Sequence, residues 1–190
     1  MSSAELARWG ALGAFLAGIS WIVWGLISLA IPGQGTEEIG SSSYYLLETM
    51  FCIASVGMLG GLAGLHARQA PSYRALGAAG FYAAFIGIAL ILVSTVATIL
   101  VGREVLDWLF VLGCLGTSVG LFLLGAATLR AGVLPRWCGT LLIVAVFGIP
   151  VYFALGNYGG AILYGVLWLV LGYTLWSQRG ASPEQPSRVR

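Results

Sequence analysis

Lysine is missing from the 190 residues, and histidine occurs once. The first absence excludes mechanisms that need a lysine amine, such as a retinal or pyridoxal Schiff base. The second excludes a bis-histidine haem or a zinc site with several His ligands, unless a partner supplies them. Charge is also scarce. Only 8% of the residues are Asp, Glu, Lys or Arg and 59% are hydrophobic, whereas soluble domains are about a quarter charged, so an ordinary water-soluble fold is excluded. A formal net charge of +2, with the arginines scattered in ones and twos, makes no nucleic-acid-binding face. Cys52, Cys114 and Cys138 lie in apolar stretches without C-x-x-C spacing. They predict buried free thiols and no metal knuckle.

What is present in abundance is uninterrupted apolar sequence. Six stretches reach the ~20 residues of helix that cross a ~30 Å hydrocarbon core: 9–31, 44–66, 75–101, 106–129, 137–155 and 160–177. The sequence therefore predicts an all-α transmembrane bundle of six helices spanning 1–179. The connectors are too short for a further domain, and the Pro/Ser/Gln-rich tail 180–190 reads as disordered. The first stretch outruns a signal-peptide core and lacks a small-x-small cleavage site, so it is expected to be retained. Arg8, Arg68, Arg74, Arg130, Arg136, Arg179, Arg188 and Arg190 fall on one side of these spans and Arg103 alone on the other. By the positive-inside rule both termini are expected in the cytoplasm.

Trp9, Trp137 and Trp176 mark inner helix ends, and Tyr44, Tyr45 and Trp108 outer ends, as an interfacial aromatic belt does. Ser2 and Glu5 have capping-box spacing ahead of the first helix. Pro150, beside Gly148, is expected to kink the fifth.

Shifting the chain by 62 residues aligns Cys52 with Cys114, Arg68 with Arg130, Arg74 with Arg136 and Gly77 with Gly139. This suggests a parallel repeat in which the second and third helices match the fourth and fifth, an arrangement used by transporters and equally by passive bundles. Gly57, Gly60, Gly61 and Gly64 make overlapping G-x-x-x-G pairs, and Gly116 with Gly120 repeats the spacing. Such residues let helix backbones approach closely in lipid. The expectation is that the second and fourth helices are central and make the closest contact in the bundle.

Glu48 is the one carboxylate well inside a span, and an intramembrane acid is a functional candidate by default. Cys52 shares its helix face, and Cys114 comes from the fourth helix at similar depth. Ser94, Thr95 and Thr98 are the expected hydroxyl donors to Glu48 by depth, making a polar intramembrane site. Three ligands of mixed softness without His make a poor metal site, so neither metal nor cofactor is expected. His66 ends the second span, where a helix C-terminus favours a cation, so capping or headgroup contact is its ordinary role. Trp21 and Trp24 in the first span, with Tyr164 and Trp168 in the sixth, are aromatics away from the belt. They read as the wall of an apolar ligand pocket or as packing between the two ends of the chain.

The turn Arg130-Ala131-Gly132-Val133-Leu134-Pro135-Arg136-Trp137, following an Ala/Gly/Leu-rich span, resembles a cytoplasmic turn of uncharacterised small multi-span bacterial membrane proteins. The resemblance covers this loop and the span pattern, implies a bacterial plasma membrane, and carries over no activity or functional residue.

Three function classes follow. The first is a non-catalytic accessory, assembly or ligand-binding bundle, partnered by membrane lipids, another membrane subunit or a second copy. The second is a small ion- or proton-coupled transporter or channel using Glu48. A membrane enzyme ranks last, because no nucleophile–base pair or metal cluster can be assembled. A water path to Glu48 would favour transport, and a dry centre the first class.

Overall fold

The computed structural model describes residues 3–30, 39, 41–73, 75–147 and 158–177. They form six helices: α1, Ser3–Ala30; α2, Ser42–Gln69; α3, Ala75–Val101; α4, Asp107–Ala131; α5, Arg136–Val146; and α6, Tyr158–Ser177. No strand occurs among the described residues. Every helix except α5 is long and apolar enough to cross a membrane, so the chain is a multi-pass membrane protein. The rest of the fifth predicted span lies outside the described residues, and so do Gly148, Pro150, the tail 180–190, Ser2 and the arginines at 74, 179, 188 and 190.

Helix ends follow local chemistry. Ser41 caps α2 by accepting the Tyr44 N–H at 3.1 Å. Gly132, at φ +65°, closes α4 in the left-handed conformation that glycine adopts without steric cost, its N–H bonding Thr128 O. Because the backbone satisfies itself within the helices, apolar side chains can face lipid on every helix. Leu100 is 80% exposed, and Ile19, Val56, Ile86, Leu115, Val144 and Leu163 are also exposed. Trp9, Trp137 and Trp176 stand exposed at one end of the bundle, Tyr45 and Trp108 at the other.

Packing divides the bundle into two modules. In the first, α1 lies tightly against both α2 and α6; in the second, α4 lies tightly against both α3 and α5. Between modules, among the described residues, α2 meets α3 over a smaller area, and Arg136–Val146 of α5 makes few contacts with α6. Glycine makes the tight contacts. A Cβ on Gly64 would stand 2.5 Å from Gly10 Cα, and one on Gly57 would stand 2.6 Å from Ala17 N. Since rising positions on α1 meet falling positions on α2, the pair is antiparallel. Gly80 and Gly120 do the same for α3 and α4, Gly18 and Gly165 for α1 and α6, Gly125 and Gly139 for α4 and α5.

The expected α2–α4 contact is thus corrected. Gly57, Gly60 and Gly64 face α1, Gly61 meets Ala14 of α1 and Trp168 of α6, and Gly116 and Gly120 face α3. A small-residue stripe states that some backbone approaches it but does not say which, and the neighbouring helix of each hairpin carries its own small residues at Gly10, Gly13 and Ala17 or at Gly80, Ala84 and Gly87.

Candidate functional site

Three places in the bundle hold chemistry or space. At the end marked by Tyr45 and Trp108, Tyr44, Glu48 and Cys52 recur every fourth residue along one face of half-buried α2. Tyr44 lies close enough to Glu48, Cys52 and Glu104 to interact with them electrostatically. Two of the three hydroxyls expected to serve Glu48 have other partners. Ser94 Oγ donates to Leu106 O at 3.0 Å, tying α3 to the first turn of α4, and Thr98 Oγ1 donates to Ser94 O at 3.1 Å. Thr95 is buried nearby on α3. A helical Ser or Thr at this depth serves the backbone first because that carbonyl is already in reach. Cys52, Cys114 and Cys138 are free thiols. Cys114 lies near Tyr164, and Cys138 lies near Thr174 of α6, whose hydroxyl donates to Val170 O at 2.8 Å. Among the described residues no three His, Cys, Asp or Glu side chains are placed to hold a metal ion.

The second place is aromatic. Trp21 is buried with its indole N–H donating to Met58 Sδ at 3.3 Å, which gives the buried indole a partner. Its ring meets Phe51 and Tyr164 edge-on, each at 5.3 Å between centroids, and Trp24 at 6.1 Å. Trp168, one turn beyond Tyr164, meets the Tyr164 ring edge-on at 6.4 Å between centroids and sets its own ring against Gly61. Trp21, Trp24, Tyr164 and Trp168 therefore come together and fill the space among α1, α2 and α6. Among the described residues, open space lies on the far side of Trp168. There, Leu121, Leu141, Leu142, Ala145, Leu167, Trp168 and Leu171 line a cleft among α4, α5 and α6. A water-sized sphere fits over about 10 Å³ of it, within about 270 Å³ of space that opens to the surface.

The third place is the end of α2 opposite Glu48. Gln69 is fully buried, and its side-chain oxygen and Leu124 O lie 3.0 and 2.8 Å from Thr128 Oγ1, while its Nε2 meets no acceptor. One hydroxyl proton cannot serve two acceptors. Turning the amide over lets Nε2 donate to Thr128 while Thr128 keeps its bond to Leu124 O, so the Gln69–Thr128 bond joins α2 to α4 across the modules. His66, expected as a terminal cation, instead stacks on Phe81 at 4.0 Å and hydrogen-bonds Tyr73. Burial, aided by Tyr82, pushes the Tyr73 phenol up to about 12. Gln69 and Tyr73 were not legible as site residues: the only signal is a polar side chain at a helix end, where exposure is the ordinary outcome.

Comparison with protein-family models, curated proteins and solved structures gives no match for this chain.

Proposed function

We propose that this chain is a non-catalytic integral membrane protein, a bundle that binds lipid or a small apolar ligand and serves as an accessory or assembly subunit in a bacterial plasma membrane. The observation that carries the reading is the close packing of the described helices. Backbones approach closely along α1–α2, α3–α4, α1–α6 and α4–α5, and the cleft beside Trp168 has apolar walls and admits a water-sized sphere over only about 10 Å³. Water gains no hydrogen-bond partner from such walls.

The transport reading requires a path by which an ion reaches Glu48. Reconstitution into proteoliposomes separates the two. Under an imposed pH gradient, the wild type and Glu48→Gln are both expected to leave the gradient as stable as in empty vesicles. Dissipation by the wild type that vanishes in Glu48→Gln would replace this reading with proton-coupled transport.

The orientation proposed with it, both termini cytoplasmic and the two hairpins α2–α3 and α4–α5 in parallel, rests on the arginine asymmetry. Reporter fusions after Ala70 and Arg190 are expected to read inside. An external C-terminus would reverse it.

A further inference from the structure

The cleft among α4, α5 and α6 sits at a definite depth. On α5, Leu142 lies five residues beyond the exposed Trp137; on α6, Leu171 lies five residues before the exposed Trp176. At the helical rise per residue, both lie about 8 Å inside the level of the two tryptophans. Exposed tryptophans at helix ends mark the headgroup region, so the cleft stands where the upper part of a lipid acyl chain runs. Its lining is apolar and one side is open.

Charge stands directly above it. Arg130 ends α4 and Arg136 begins α5, on either side of the short turn that Gly132 closes. Both are exposed, and neither side chain has a hydrogen bond or ion pair among the described residues. The described acids lie elsewhere: Glu48, Glu104 and Asp107 at the opposite end, and Glu5 on α1, which packs against α2 and α6. An apolar slot below two unopposed cations is complementary to a molecule with an anionic head and a hydrocarbon chain.

We propose that this cleft is a binding site for an anionic phospholipid of the leaflet bordered by the arginine-rich rim. One acyl chain lies between α5 and α6 against Leu142, Leu167 and Leu171, and the phosphate rests on Arg130 and Arg136. The site deepens the lipid-binding reading above and rests on it.

The test counts lipids retained by the full-length protein. Protein in mild detergent is incubated with phosphatidylglycerol and phosphatidylcholine of identical chains, and bound lipid is read by native mass spectrometry. The expected result is one phosphatidylglycerol held in preference to phosphatidylcholine. In the double variant Arg130→Gln/Arg136→Gln, both positions being exposed, that preference is expected to fall about thirtyfold. Leu167→Phe, at a half-buried wall position, is expected to reduce retention of both lipids by occupying the slot. Equal retention of the two lipids by the wild type, or an unchanged preference without the arginines, overturns the site while leaving a lipid-binding bundle. Retention of no lipid at all overturns both, and retention of a second protein copy or a small apolar molecule in the slot overturns the lipid assignment.

Discussion

Replacing Gly120 with alanine is expected to unfold the α3–α4 pair, at a cost of about 3 kcal/mol. The added Cβ would stand 2.1 Å from Ala84 N and 2.6 Å from its Cα. These are backbone atoms in the middle of a helix, so no rotamer change relieves the clash. The helices must move apart, and the other close approaches of the pair open with them, including those at Gly80 and Gly87, where a Cβ would stand only 2.5 Å from Leu124 N and 2.4 Å from Thr117 N. In lipid no hydrophobic drive restores the contact, because separated helices are solvated as well by acyl chains as by each other. Gly60 supplies the control. Its Cβ would meet only Gly13 Cα, at 3.5 Å, an ordinary contact distance, so Gly60→Ala is expected to be tolerated. Unfolding of the purified protein monitored by circular dichroism distinguishes the two. Equal stability of Gly120→Ala and Gly60→Ala would show that backbone proximity is not what holds α3 to α4.

The same pair of helices shows how far the sequence can be read. Its composition and apolar runs are sufficient for a six-helix bundle of which five helices are long enough to span, because membrane hydropathy is a one-dimensional signal. Glycine spacing identifies residues at close contacts for the same reason: only a missing side chain permits them. Partner choice is different. Gly13 and Ala17 stand against Gly57 as Gly80 and Ala84 stand against Gly120, so the same solution recurs in α1–α2 and α3–α4. A register shift that matches α2 with α4 by their cysteines and arginines does not reveal it, since the partner residues lie on other helices. At the candidate sites, identity alone marks Glu48 and the four aromatics as unusual. It does not mark Ser94 as a link to Leu106 or Gln69 as a bridge to Thr128. Those bonds depend on where the turns place a carbonyl and a hydroxyl, and a polar residue at a helix end carries no sign of its partner.

Trp168 is where the aromatic cluster and the cleft meet, and truncating it is expected to have an effect as large as that at Gly120. The side chain is 3% exposed, and its ring lies where a Gly61 side chain would otherwise stand, 2.9 Å from that position. The other side of the ring forms part of the cleft wall with Leu121 and Leu171. Trp168→Ala removes the indole from this contact and from its edge-on contact with the Tyr164 ring. Gly61 has no side chain to move into the space, and α2 and α6 are each held in close contact with α1, which resists their closing on the gap. The void therefore persists and joins the cleft, and the expected loss is about 3–5 kcal/mol. A persistent apolar void also binds apolar molecules of its own shape. Indole added to the variant is expected to raise its melting temperature, while leaving the wild type unchanged because its ring already fills the site. A variant that melts with the wild type and ignores indole would mean that the helices collapse onto the missing ring, and the packing of α6 against Gly61 would then be adaptable instead of fixed.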